Sequence, residues 1–144
     1  MASVSTYLLF NGNAEEAFEF YKAVFGTEYE GGIMRYSDHA PPEGVSLSDD
    51  QQRMIVNAAL PILGGHVLMA SDILPGMGFT VTPGNNFQLT LQPDSRAEAD
   101  RLHAALAAGG EVRDPMAEAF WGDYYGSLTD KFGIQWNINT AAKV

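Results

Sequence analysis

Tyr7-Leu8-Leu9-Phe10-Asn11-Gly12-Asn13-Ala14-Glu15-Glu16-Ala17 is the stretch that decides the fold. Its first four residues are strand formers, and Asn11-Gly12-Asn13 breaks the run. Ala14, Ala17, Phe18, Tyr21 and Phe25 then recur at helical spacing until Gly26. Asn13 fits an N-cap, with Glu16 in the capping-box position. A strand therefore runs into a helix with one apolar face. The same punctuation returns 82 residues later: Phe87 to Gln92 predicts a strand, Pro93-Asp94 breaks it, and Ser95 with Glu98 repeats the capping-box spacing. Ala99, Leu102, Ala105 and Leu106 form the second apolar stripe, which Gly109-Gly110 ends. Cap to terminal glycine is 13 residues in the first half (Asn13 to Gly26) and 14 in the second (Ser95 to Gly109). After each helix the pattern turns to strands. The first half offers Glu28 to Tyr36, Ile55 to Leu63 and His66 to Ser71, with Gly64-Gly65 marking a hairpin. The second offers Glu111 to Arg113, Tyr124 to Thr129 and Ile134 to Asn139. Each half is strand, helix, three strands, an α+β plan of paired βαβββ modules.

Around that frame, Ser37 to Arg53 predicts a mobile loop and Leu74 to Asn86 a linker, since both are rich in Pro, Gly, Ser and Asp. We therefore expect a single domain over 1–144, with module one at about 1–73, the linker at about 74–86 and module two at about 87–141. The 144 residues suffice to bury a core without staples. No cysteine is present, which removes disulfides, thiolate nucleophiles and Cys-based metal sites. A net charge of -10 repels phosphate backbones and anionic lipid surfaces, so neither nucleic acid nor membrane is an expected partner. The absence of a long apolar run or a basic leader makes a cytoplasmic location the expectation.

The opening stretch with Phe20-Tyr21, the Gly65 to Asp72 strand with its Met69-Ala70-Ser71-Asp72 run, and Phe120-Trp121-Gly122-Asp123 through Thr129-Asp130-Lys131-Phe132-Gly133 to Trp136 resemble PhnB-like proteins of the vicinal oxygen chelate (glyoxalase/bleomycin resistance/dioxygenase) superfamily. The resemblance spans nearly the whole chain. It implies βαβββ modules whose mixed sheets curl around a cavity, helices outside, and a homodimer. Alternation agrees with a two-faced sheet: Ile134, Trp136 and Ile138 alternate with Gln135, Asn137 and Asn139, and Phe87, Leu89 and Leu91 with Gln88, Thr90 and Gln92.

Metal-dependent members of this superfamily take ligands, chiefly His and Glu, from the first and fourth strand of each module. Counting back from the helix caps, the resemblance implies Thr6, Leu68 or Met69, Gln88 and Asn137 at these places. None is His or Glu, and neutral oxygens and thioethers are poor donors for a catalytic divalent cation. Neither a metal nor another cofactor is expected. The three histidines have no ligand spacing: His39 falls in a loop, His103 reads as a solvated helix residue, and His66 opens a strand, where with Asp123 it is a candidate acid or base. Some relatives are labelled demethylubiquinone methyltransferases. The approaches Asn11-Gly12-Asn13 and Pro93-Asp94-Ser95 contain no Gly-rich cofactor turn, and only Arg35 and Arg113 fall in cavity strands to hold a phosphonate.

The aromatic residues Phe120, Trp121, Tyr124 and Tyr125 suit stacking on a planar ligand. The sequence thus points to a metal-independent small-molecule binding protein of the bleomycin-resistance type. Its ligand, a small organic and aromatic or amphipathic molecule, is expected on Thr6, Leu8, Phe10, Leu68, Gln88, Thr90, Trp121, Tyr124, Tyr125, Gln135 and Asn137. The alternatives are a metal-dependent lyase, isomerase or dioxygenase with displaced ligands such as His66 with Glu118 or Asp123, and a homodimeric scaffold whose cavity is filled.

Overall fold

A computed structural model describes all 144 residues, which divide into two compact units, residues 1–81 and 82–144. The division falls inside the predicted linker. Unit 1 contains β1 (Thr6–Phe10), α1 (Ala14–Phe25), β2 (Met34–Arg35), α2 (Asp49–Arg53), β3 (Ile55–Pro61) and β4 (Val67–Asp72). Unit 2 contains β5 (Leu89–Leu91), α3 (Arg96–Ala107), β6 (Glu111–Glu118), β7 (Tyr124–Thr129) and β8 (Gln135–Thr140). The strand orders are β1-β4-β3-β2 and β5-β8-β7-β6, so each unit places its first strand beside its fourth. Those two pairs are parallel and the others antiparallel. Each unit is thus the expected βαβββ module. No helix is long and apolar enough to cross a membrane.

The helices cover one face of each sheet. On α1, Ala14, Ala17, Phe18, Tyr21 and Val24 are buried, and the Phe18 ring meets Phe10 of β1 edge-on at 6.2 Å. Gly26 ends α1 in the left-handed conformation, φ 65°, as its position predicts. Across unit 2, Trp136 and Ile138 of β8 and Leu128 of β7 are fully buried on the side of α3.

Five departures from the sequence reading have physical causes. First, Asn13 makes no side-chain cap bond; the buried Asp72 carboxylate of β4 does the work instead. Its Oδ1 accepts from the Gly12 and Ala14 N–H groups at 3.1 and 2.9 Å, and its Oδ2 from Ile55 N–H at 2.8 Å. Second, β2 keeps only two residues because Gly31 and Gly32 have φ of 76° and 128°, outside strand geometry. Third, the predicted loop 37–53 contains α2, started by a Ser48–Gln51 capping box. Fourth, β6 runs on through Pro115 to Glu118; as an edge strand with two register shifts it tolerates a residue with no N–H. Fifth, His103 is buried rather than solvated, because it shares the inner face of α3 with Ala99, Leu102 and Leu106. Its Nε2 lies 3.1 and 3.2 Å from the carbonyl oxygens of Asp114 and Ser127. Gly126 makes the space: a Cβ there would lie 3.0 Å from the His103 ring and 2.5 Å from Met116 Sδ.

Candidate functional site

The face of each sheet away from its helix is where side chains are available to a ligand. In unit 2 alternation settles which these are. Leu89 and Leu91, Trp136 and Ile138, and Leu128 are buried, so Thr90 of β5, Gln135, Asn137 and Asn139 of β8, and Tyr125 and Thr129 of β7 share the open face, with Gln88 just before β5; Ser127 has the same register but is buried, its Oγ donating to Asp114 Oδ2 at 2.6 Å. Asn137 Nδ2 donates to Gln88 Oε1 at 2.9 Å, and Arg113 donates to the same oxygen at 3.2 Å. Thr129 Oγ1 donates to Gln135 Oε1 at 2.9 Å, and Asn139 Nδ2 to Asp123 Oδ2 at 2.9 Å. The carboxamides are therefore oriented by neighbours and keep hydrogen-bonding capacity to spare, since each amide has more sites than these bonds use. Tyr125 stands opposite Asn139 in the register, and its ring meets the half-exposed Trp121 at 5.5 Å. Trp121 in turn meets Phe120 at 4.9 Å. An aromatic cluster thus flanks a carboxamide row.

Unit 1 presents different chemistry. Leu8, Phe10, Leu68 and Ala70 are buried on the helix side, which leaves Tyr7, Leu9, Met69 and Ser71 on the open face. A chain of hydrogen bonds crosses it: Asn57 Nδ2 donates to the Tyr7 hydroxyl at 3.3 Å, Tyr7 bonds Ser71, and Ser71 Oγ donates to Val56 O at 2.6 Å.

These faces sort the predicted residues. Gln88, Thr90, Tyr125, Gln135 and Asn137 lie on the open face of unit 2, and Trp121 lies against Tyr125. Leu8, Phe10 and Leu68 lie beneath α1 instead, and Thr6 shares their side, with Oγ1 2.9 Å from His66 Nε2. Tyr124 also turns to the helix: its hydroxyl donates to Asp100 Oδ1 at 2.7 Å and its ring lies 4.8 Å from the Arg96 guanidinium carbon. The bond to Asp100 holds the Tyr124 phenol above its ordinary pKa. The cause of the misplaced unit 1 residues is a one-residue difference in the strand-to-helix turns. Phe10 precedes the start of α1 by four residues and Leu91 precedes the start of α3 by five. Counting back equally from both caps therefore lands on opposite faces, and Tyr7, not Thr6, matches Gln88. Tyr7 and Ser71 were legible from their alternation with Leu8, Phe10 and Ala70.

The same placement tests the groups that the fold implies. The open-face positions of the first and fourth strands are Tyr7, Leu9, Met69 and Ser71 in unit 1 and Gln88, Thr90, Gln135 and Asn137 in unit 2. Hydroxyl, thioether, alkyl and carboxamide groups do not fit a catalytic divalent cation, and no three His, Asp or Glu side chains gather for one. A nucleotide-like methyl donor fits no better, since the Asp72 carboxylate already fills the N-terminus of α1 and Ser95 Oγ accepts from Glu98 N–H at 3.1 Å at that of α3. Arg35 is held by both Glu15 oxygens at 3.1 and 2.6 Å, so it presents no free guanidinium to a phosphonate.

The family model described as 3-demethylubiquinone-9 3-methyltransferase matches residues 2–139. The chain belongs to this PhnB-like family. It is 33% identical over 144 residues to Protein YjdN of Escherichia coli K12, covering 94% of this chain and 93% of that protein. Protein PA1353 of Pseudomonas aeruginosa matches with a TM-score of 0.83 and 34% identity, over 99% of this chain and 100% of that one. A PhnB protein from Bacillus cereus, described as a putative 3-demethylubiquinone-9 3-methyltransferase, matches with a TM-score of 0.75 and 26% identity, over 97% and 100% of the two chains. Glyoxalase/bleomycin resistance/dioxygenase proteins match at TM-scores of 0.60 and 0.63 with 20% and 15% identity, which shows the shared fold alone.

Proposed function

We propose that this family member is a metal-independent, homodimeric cytoplasmic protein that binds a planar organic molecule on its open sheet surface. The observation that carries the proposal is the unit 2 face: Gln88, Asn137 and Asn139 are held by bonds to protein neighbours and have amide sites left for a neutral polar edge, and Tyr125 with Trp121 offers ring surface for an apolar plane. The donor set supports the metal-free form, because none of these positions supplies imidazole or carboxylate. The methyltransferase name of the family model remains a property of that description; the filled helix N-termini support binding rather than methyl transfer.

Elemental analysis of untagged protein, with thermal-shift measurements on the same sample against divalent ions and a panel of aromatic and glycopeptide compounds, tests this. The expected result is metal-free protein, indifferent to ions, with a raised Tm for at least one organic compound. For that compound Asn137→Leu and Tyr125→Ala each weaken binding about tenfold. Stoichiometric metal with ion-dependent stabilisation overturns the proposal in favour of a lyase, isomerase or dioxygenase with displaced ligands. A sedimentation mass near 15.6 kDa at working concentration overturns the dimer.

A further inference from the structure

Within unit 1, the segments 36–51 and 74–77 enclose, with Val56, a pocket of about 460 Å³. The volume lies within the range of about 300–1,000 Å³ typical of small-molecule sites. None of the open-face residues Tyr7, Leu9, Met69 or Ser71 lines it. Its walls are chiefly apolar: Tyr36, Val45, Leu47, Val56, Leu74 and Met77. Tyr36 ends a predicted strand, 37–51 fall in the predicted loop and 74–77 in the predicted linker, yet the walls are pinned. The Tyr36 hydroxyl donates to Asp72 O at 2.8 Å, Tyr36 N–H to Met54 O at 3.0 Å, and Leu74 N–H to Met77 Sδ at 3.1 Å. The same bonds hold the rim of α2 and the turn after β4 around the cavity. Burial and the nearby Asp72 raise the Tyr36 phenol above its ordinary pKa, so it stays neutral.

Two further observations define the occupant. Val45 and Met77 are 46% and 51% exposed, so large apolar side chains face water where a ligand would cover them. The net charge beside the pocket is negative: Asp38, Glu43 and Asp49 lie in the enclosing segment, Asp50 is paired with Arg53, and no Lys or Arg occurs between Arg35 and Arg53. Those two arginines are engaged, Arg35 by Glu15 and the Arg53 carbonyl, and Arg53 by Asp50. An anion meets only His39 as a base and is repelled; a neutral or cationic molecule is not. The ring of Tyr36 and the thioether of Met77 favour aromatic over aliphatic contents. We propose that this pocket is a second ligand site, for a neutral or cationic aromatic molecule, separate from the open sheet faces.

The test titrates the full chain with neutral N-phenyl-1-naphthylamine and with 1-anilinonaphthalene-8-sulfonate, which shares its ring pairing but carries an anion. Saturable, blue-shifted emission is expected with the neutral probe, and at least about fivefold weaker binding of the sulfonate. Val45→Asp places a charge on the wall and Ala40→Trp fills the volume; both positions are exposed, so Tm should hold. Each should weaken the neutral probe at least about tenfold, while Tyr125→Ala leaves it within about twofold. No saturable emission overturns the second site, as does equal affinity for the sulfonate or binding that survives both pocket variants. Loss of the probe in Tyr125→Ala alone also overturns it, while supporting the open-face site; retention there, with loss in the pocket variants, supports the second site whatever the fate of the first.

Discussion

The helix of unit 1 starts on a carboxylate borrowed from another strand, whereas the helix of unit 2 starts on its own serine. Strand order and helix length are the same in both, at 12 residues for α1 and α3. The open faces nevertheless diverge, with a phenol, a thioether and alkyl groups on one and a row of carboxamides on the other. A repeated module thus conserves the backbone problem, how to turn from strand to helix and bury one face, and leaves the free face to vary. Buried carboxylates appear in both units, in different places. Asp72 ties β4 to the start of α1 and to β3, while Asp130 ties a turn to itself: its Oδ1 accepts from Phe132 and Ile134 N–H at 2.8 and 3.0 Å, and its Oδ2 from Trp136 Nε1 at 2.9 Å.

The largest expected effects come from removing these carboxylates. Asp72→Ala leaves the buried donors Ala14 N–H and Ile55 N–H without their acceptor and is expected to cost about 4 kcal/mol. Asp130→Ala strands one deeply buried donor, the indole N–H, and two turn amides that water can reach more easily, for about 3 kcal/mol. Urea unfolding followed by circular dichroism reads both. A larger loss for Asp130→Ala would show that the local turn, not the strand-to-helix clamp, is the more fragile joint.

How much of this was visible in the sequence follows from the same residues. Periodicity gave the faces of β8 because Trp136 and Ile138 alternate with Gln135, Asn137 and Asn139 without interruption. Glycine stops gave both helix ends. The faces of β1 were misassigned because position was inferred by counting across a turn, and turns differ by single residues that no periodicity records. The cap of α1 was misassigned for a related reason: Asn13 has the right residue type in the right place, but a long-range carboxylate competes for the same N–H groups and wins. The pocket was hidden because its walls join segments 36–51 and 74–77, whose contact only the fold creates.

The helix caps carry smaller effects. Ser95→Ala removes an observed bond to Glu98 N–H and should cost about 1 kcal/mol, whereas Asn13→Ala removes none and should cost less than about 0.3 kcal/mol. Both are read from urea midpoints. Equal losses would mean that Asn13 caps α1 in solution and that Asp72 only supports it.

The smallest effect concerns the edge of unit 1, where Glu15 in the first turn of α1 holds Arg35 of β2 through two hydrogen bonds. The Arg35 guanidinium keeps the Glu15 carboxyl below its ordinary pKa of 4.5. A carboxylate whose pKa is lowered by folding contributes stability that is complete above the unfolded value and disappears as the pH falls through the folded one. The Glu15 side chain is 46% exposed, so water screens the pair and Glu15→Gln should cost less than about 0.5 kcal/mol near neutral pH. The difference between wild type and variant should therefore be complete at about pH 7 and smaller at an acid pH below the ordinary value of 4.5, where Glu15 begins to bind a proton. Paired urea titrations at the two pH values measure it. A difference that persists undiminished in acid would assign the contribution of Glu15 to the packing of its side chain across α1 and β2, making the join between helix and edge strand a matter of shape rather than charge.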